Sequence, residues 1–197
     1  MSEGERTLIP MPYLAMLRKG LGILSSRLRE QGLRVTVLWA MDHALRLLTG
    51  MSPPRTSRIG PNLYLGGQHY RHGLGRLARL GVSASVSLRE ESDDRGRGVA
   101  LEKHLWLPTV DDAPPTLEDL RAASTFLGQA LAEGRGVYTH CASGVGRAAT
   151  AVAAYLVTTG LTPNQAWATI RYVRPFIRPN AAQIAQVEKF CKRSSLS

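Results

Sequence analysis

The residue types with the greatest chemical reach stand together in Val137-Tyr138-Thr139-His140-Cys141-Ala142-Ser143-Gly144-Val145-Gly146-Arg147, ahead of an alanine-rich run ending near Gly160. The order reads as strand, tight glycine loop, helix. A loop between a strand's end and a helix's start aims several backbone N–H groups, and the positive end of the helix dipole, at one point. Gly144 and Gly146 permit backbone angles and close approach that a side chain blocks, and Arg147 adds a planar grip on two oxygens. Ala142, Ser143, Gly144, Val145, Gly146 and Arg147 are therefore the candidate anion-binding residues. At the mouth of that cradle, Cys141 changes the meaning from binding to reaction, because the field that attracts a phosphate also stabilises a thiolate. An ionised sulfur held beneath phosphorus is a nucleophile placed for in-line attack. At this chain's own frequencies the pattern H-C-x-x-G-x-x-R arises by chance in roughly 5 of ten thousand such chains, so it is treated as a site. The nucleotide-binding pattern G-x-x-x-x-G-K-[ST] fails here for want of its lysine and hydroxyl. Cys191, beside a Lys-Arg-Ser tail, reads as structural.

Displacing an ester from phosphorus leaves an alkoxide that needs a proton. An Asp on a proline-containing loop can supply it and later activate water. Asp111 and Asp112, just before Pro114-Pro115, both qualify; the structural alternative is that either caps a turn. Glu90, Glu91, Asp93 and Asp94 form a further acidic group, expected as a solvated loop after a strand, with one carboxylate orienting Arg147 as the other reading.

These residues must be held by a folded core, and 197 residues with 44% hydrophobic and 20% charged content suit one catalytic-size domain. Leu63–Leu65, Val82–Leu88, Leu105–Leu107 and Val137–His140 read as strands bounded by glycine, proline and acidic turns. Thr116 caps a helix from Leu117 to about Ala132, ended by Gly134. Thr162-Pro163-Asn164-Gln165 and the Asn180/Gln183 pair are capping boxes for two more. Alternating strands and helices predict an α/β fold with a central, largely parallel sheet flanked by helices. Ahead of it, Met11 to about Gly50 reads as two helical pieces separated near Gly32. In the second, Leu33, Val37, Met41, Leu45 and Leu48 form an apolar stripe, with Arg34, Asp42 and Arg46 on another face. Two readings follow for this piece: a helix packed on the domain with a solvated basic face, or peripheral contact with an anionic membrane through residues 11–50. The division expected is a basic amphipathic extension over residues 1–57 and a catalytic domain over 58–192.

Lys and Arg number 25 against 15 Asp and Glu, a formal +10, and 21 of those cations are arginines. An anionic partner follows, but its kind does not. Nucleic acid is disfavoured by the absence of aromatic-basic interleaving. Two cysteines fifty positions apart, with no clustered His/Cys spacing, speak against a disulfide framework and a structural metal. No secretory signal is read, nor a stretch approaching the ~18 uninterrupted apolar residues of a spanning helix. An intracellular, cytoplasmic setting, with peripheral membrane association, is the expectation.

The motif residues resemble the cysteine-dependent protein-tyrosine phosphatase superfamily, and within it the compact dual-specificity phosphatases. Arg58 to Gly67 looks like that family's opening strand, Leu107-Pro108-Thr109-Val110-Asp111 like its general-acid loop, and Arg171 to Gln183 like its closing helices. The resemblance implies hydrolysis of phosphate monoesters through a phosphocysteine, without metal or cofactor. By the same resemblance Cys141 is the nucleophile, Arg147 binds phosphate, Asp111 is favoured as acid with Asp112 in support, and His140 supports the thiolate through local hydrogen bonds. One departure is Ala148, where the family usually carries the Ser or Thr that bonds the departing thiolate; slow breakdown of the phospho-enzyme is expected. The substrate implied is a phosphorylated protein or a phospholipid. The basic N-terminal helices and Ile177-Arg178-Pro179 are similar to the superfamily's phosphatidylglycerophosphate phosphatases, with a phosphoinositide as another lipid reading. The lack of lysine in the loop argues against multiply phosphorylated inositols. A phosphate-binding module without catalysis is the remaining class.

Overall fold

The computed structural model describes residues 11–194, with side chains described at 20 and over 22–193; the first ten residues of the expected extension lie outside the described residues. It divides into two units between Trp39 and Ala40. Helix α1 (Met11–Thr49) belongs to the first unit as far as Trp39, and there it is broken at Gly32, whose φ of 77° and ψ of 169° leave the helical region, as the sequence foretold. Within this unit Arg27 donates to Gln31 at 2.8 Å and lies 4.5 Å over the Trp39 ring.

The second unit is an α/β domain around a five-stranded sheet of order β1-β2-β5-β3-β4, in which only the β1/β2 pair is antiparallel. β1 (Arg58–Gly60) and β2 (Leu63–Gly67) form a hairpin that turns at Asn62, with φ of 59°. β3 (Val82–Arg89), β4 (Lys103–Thr109) and β5 (Gly136–Cys141) complete the sheet. A one-turn helix α2 (Pro54–Ser57) precedes β1, and a 3-10 turn (Arg71–Gly73) and α3 (Leu74–Arg79) lie between β2 and β3. Helices α4 (Leu117–Ala132), α5 (Arg147–Thr158), α6 (Pro163–Val173) and α7 (Ala181–Ser194) follow. The capping boxes at Thr116 and Thr162 and the Asn180/Gln183 exchange form as the sequence requires. β5 runs between β2 and β3 and is buried throughout, which places Cys141 at the carboxyl end of the central strand, where open α/β sheets bind ligands. α5 packs against β5, α4, α6 and α7, and Ala148, Ala149, Ala151, Ala153 and Ala154 are wholly buried there, small side chains that let four elements close on one helix.

Residues 40–57, expected with the extension, pack in the second unit. The solvated basic face expected for the helix is not what the structure shows there: Asp42 and Arg46 are buried, while Met41, Leu45 and Leu48 are exposed, Leu48 by 76%. Arg46 donates to the Gln68 carbonyl at 2.9 Å and the Tyr70 hydroxyl at 3.2 Å, and Asp42 meets Arg174. Charge partners on the domain, not its apolar surface, select the face that turns inward. Arg34, in the first unit, stays exposed. No described helix is long and apolar enough to cross a membrane.

Candidate active site

The loop after β5 is shaped from outside. Four consecutive carbonyls are gripped by donors: Ala142 by the Gln68 N–H at 3.1 Å, Ser143 by Arg174 Nη2 at 2.9 Å, Gly144 by Arg174 Nε at 2.8 Å, and Val145 by the Arg178 N–H at 2.7 Å. Every peptide is trans, so each carbonyl pinned outward sends the next residue's N–H the opposite way. The N–H groups of Ser143, Gly144, Val145 and Gly146 are thereby aimed away from the gripping donors. That of Gly144 marks the side they face, since it donates to Cys141 Sγ at 3.3 Å. Gly144 has φ of 66°, and a Cβ there would sit 2.2 Å from the Gly66 carbonyl oxygen, so both conformation and space demand glycine. The α5 N-terminus begins at Arg147 and adds its dipole to the same place.

Arg147 is almost wholly buried. Its Nη1 donates to the carbonyls of Thr109 at 2.7 Å and Leu88 at 3.2 Å, its two terminal nitrogens reach Glu91 at 2.9 and 3.0 Å, and Nη2 lies 2.8 Å from Asp111 Oδ1. The acidic group after β3 is therefore not simply a solvated loop; its other reading, a carboxylate orienting Arg147, is the one found, and the carboxylate is Glu91. The hydrogen bond from Arg147 holds the Glu91 carboxyl down to about 2. For Arg147, burial disfavours the charge, but Glu91, Cys141 and Asp111 together outweigh it and the guanidinium stays charged. Asp94 of the same group is wholly buried, with Oδ2 2.8 Å from His140 Nε2 and Oδ1 accepting from Gln68 Nε2 at 2.9 Å. Burial alone would raise its carboxyl; the bonds from His140 and Gln68 reverse this and hold it low. His140 thus spends its hydrogen bond on Asp94, away from the sulfur. The hydrogen-bond support of the thiolate expected of His140 comes instead from the Gly144 N–H, which donates to Cys141 Sγ, because the His140 Nε2 is engaged by Asp94.

Asp111 and Asp112 part company. The Asp111 side chain is 75% exposed and reaches Arg147. Asp112 adopts φ of 61°, and its carbonyl accepts from Asn180 Nδ2 at 2.6 Å, while Gln183 Nε2 donates to the Ala113 carbonyl at 3.2 Å. The helix-capping pair of α7 therefore also anchors the acid loop. Ala148 is buried, and the Thr150 hydroxyl donates back to the Gly146 carbonyl at 3.1 Å, which leaves the position after Arg147 without a hydroxyl.

Sequence reasoning missed Arg174, Asp42, Ser52 and Thr56. Arg174 had one visible signal, its place before Pro175 in the closing segment. Asp42 had none, because it is 132 positions away from its partner. Among the described residues, His69, Asp94 and His140 offer three ligand-type atoms within 4.8 Å of one another. His69 Nε2 lies 2.6 Å from the Val99 carbonyl, and Asp94 joins His140 Nε2 to Gln68.

A cysteine, an outward-pinned loop and a buried arginine within reach of an exposed carboxylate form one assembly, and the sequence model of the dual specificity phosphatase catalytic domain matches residues 63–193. The chain belongs to that family. Mouse dual specificity protein phosphatase 12 is 34% identical over 126 residues, 62% of this chain but only 37% of the relative, so the chain spans well under half of that protein. The phosphatidylglycerophosphate phosphatase PTPMT2 of Arabidopsis thaliana is 30% identical over 70% of this chain and 63% of its own. Among solved structures, PTPMT1 in complex with PI(5)P superposes with a TM-score of 0.65 at 28% identity, covering 70% of this chain and 95% of that one. The central sheet flanked by helices matches that solved structure.

Proposed function

We propose that the chain hydrolyses phosphate monoesters through a phosphocysteine. The observation that carries this reading is the convergence on Arg147: the phosphate loop leads into it, and Asp111 Oδ1 stands 2.8 Å from it, so a phosphate held by Arg147 has the sulfur on one side and a carboxylic acid near the leaving oxygen. Cys141 Sγ forms a bond to phosphorus as the phosphorus–oxygen ester bond breaks, and Asp111 gives its proton to the departing oxygen. Water then attacks phosphorus, its proton passes to Asp111, and the phosphorus–sulfur bond breaks to return the thiolate. The inward N–H groups and Arg147 meet the charge that builds on the equatorial oxygens. The test is p-nitrophenyl phosphate hydrolysis with mass spectrometry of a quenched reaction. A phosphate adduct on the peptide bearing Cys141 is expected, whereas turnover undiminished in Cys141→Ser sinks the reading.

A lipid monophosphate is the substrate reading favoured by a specific observation. Met41, Leu45 and Leu48 turn an apolar face outward, and Leu45 also lines a groove of about 280 Å³ with Met51, Pro53, Leu80, Arg76 and Arg79. Apolar side chains flanked by arginines suit the surface of an anionic bilayer. The uncharged loop from Ala142 to Gly146 suits a single phosphate, and relatives that bear the names of lipid phosphatases or hold PI(5)P agree with this. Turnover of phosphatidylglycerophosphate in vesicles is expected to exceed that of phosphotyrosyl, phosphoseryl and phosphothreonyl peptides, and to fall in Leu45→Asp/Leu48→Asp while p-nitrophenyl phosphate turnover is kept. Faster turnover of the peptides reverses the assignment toward a protein substrate.

A further inference from the structure

The phosphate loop is gripped at two of its carbonyls by one side chain, and that side chain is itself held from a distant part of the fold. Arg174 is wholly buried and all five of its N–H donors are engaged. Nε takes Gly144 O at 2.8 Å, Nη2 takes Ser143 O at 2.9 Å, Nη1 takes Thr56 O at 3.0 Å, and the remaining two take Asp42 Oδ1 and Oδ2 at 3.0 and 3.1 Å. The Phe176 ring lies 4.4 Å from the guanidinium carbon. Asp42 is saturated in turn: the Thr56 hydroxyl donates to Oδ1 at 2.7 Å and the Ser52 hydroxyl to Oδ2 at 3.2 Å.

We infer that Asp42, acting through Arg174, is a positioning residue for the reaction, so that the last turns of α1 belong to the catalytic machinery. The inference rests on the phosphocysteine reading for its kinetic arm. Its physical content lies in two peptide planes. Ser143 C=O and Gly144 N–H are opposite ends of one trans unit, as are Gly144 C=O and Val145 N–H. Arg174 holds the outer ends. The inner end of the first donates to Cys141 Sγ at 3.3 Å, and the inner end of the second is aimed to the same side. With the Asp42 carboxylate gone, three backbone carbonyls, those of Ser143, Gly144 and Thr56, are all that is left to hold the guanidinium in the fork. The bidentate Asp42 pair fixes its plane, and with it the direction of two oxyanion donors. Without Asp42, Arg174 keeps its charge but loses the reference that orients it, and the two peptides are free to rotate their N–H groups out of line.

The test separates orientation from mere folding. Asp42→Asn keeps the shape but not the charge, and Thr56→Val removes one hydroxyl from Asp42 while leaving both charges. Tungstate affinity is measured by calorimetry, which reads the oxyanion site whether or not the protein turns over substrate. Kinetics on p-nitrophenyl phosphate and the alkylation rate of Cys141 by iodoacetamide, followed on its own peptide, are measured beside it. For Asp42→Asn a tenfold or greater weakening of tungstate, a similar fall in kcat and slower alkylation are expected with an intact circular dichroism spectrum. Thr56→Val is expected to move the same quantities by two- to fivefold, and it decides the matter if Asp42→Asn does not fold. Wild-type tungstate affinity and kcat in whichever variant is folded overturn the inference. Loss of kcat alone, with tungstate affinity and alkylation unchanged, also overturns it, because orientation of the loop must affect all three. An inactive wild-type protein that still shows the tungstate loss leaves the inference standing and refutes the phosphocysteine reading instead.

Discussion

The two loops that meet at Arg147 are built on opposite plans. The loop from Cys141 to Gly146 has four consecutive carbonyls tied to donors behind it, and its glycine at 144 has no space for a Cβ. The loop carrying Asp111 is held before the acid at the Thr109 carbonyl by Arg147 and beyond it at the Asp112, Ala113 and Pro115 carbonyls, yet leaves Val110 56% exposed and the Asp111 side chain 75% exposed. The contrast fits the roles proposed for the two loops. Donors that meet charge developing on phosphate act best when already in place, since reorganising them during the reaction costs what their attraction gains. A carboxyl that first gives and later takes a proton must exchange with solvent and adapt to two different oxygens.

Substitutions probe this difference in order of size. Cys141→Ser is expected to lower kcat on p-nitrophenyl phosphate by at least about 10³-fold, because the weak hydroxyl nucleophile is left in a site built for a thiolate. Residual activity within tenfold of wild type would break the proposed chemistry at once. Asp111→Asn is expected to cost about 10²-fold or more on an alkyl phosphate, whose leaving group needs the proton, and far less on p-nitrophenyl phosphate. It should leave the melting temperature within a degree or two. Equal losses on both substrates would assign Asp111 a binding role. Gly144→Ala sharpens the contrast from the other side, with an expected loss of about 3 kcal/mol of stability from strain at positive φ and collision with backbone, read in urea unfolding.

Behind the pinned loop, acid acts on His69. It is wholly buried, and burial, then the neighbouring His140, lowers its titration from 6.5 to about 4. Above pH 6.5 neither state carries the proton, so nothing is lost. Below it the unfolded chain takes up a proton that the folded chain refuses, and stability falls by about 3 kcal/mol by pH 4, below which the loss levels off for this group. Burial shifts His104 in the same direction, while Asp94, held low, adds its loss only at still lower pH. Unfolding midpoints at pH 7.5 and 4.5 are expected to converge in His69→Gln; an unchanged slope assigns the acid sensitivity elsewhere. The smallest effect expected is at Ala148. Restoring a hydroxyl in Ala148→Ser should speed phospho-enzyme breakdown severalfold and remove the initial product burst on aryl phosphates. A linear wild-type time course removes the basis for that expectation.

Much of this was legible in the chain. The cysteine-to-arginine spacing, the strand-loop-helix order and the three capping boxes are local features, each set by residues within a few positions of one another. The amphipathic stripe of α1 was equally visible, yet its direction was misread. Periodicity says which residues share a face, whereas the partner decides which face turns inward, and here the partner is Arg174 with the Gln68 carbonyl and the Tyr70 hydroxyl. Glu91 and Asp94 looked alike as members of one acidic run, but β3 and its following turn send one to Arg147 and the other to His140.

By itself the amino-acid order determined the alternation of strands and helices, the family and which sulfur is proposed to react, because those depend on short-range spacing and on glycine's freedom where a side chain cannot go. Only the tertiary structure decided what holds the loop open to phosphate. A carboxylate at position 42 meets an arginine at 174 because the folded domain closes that distance, and the two buried charges stay together there since parting them would leave each charge uncompensated away from water.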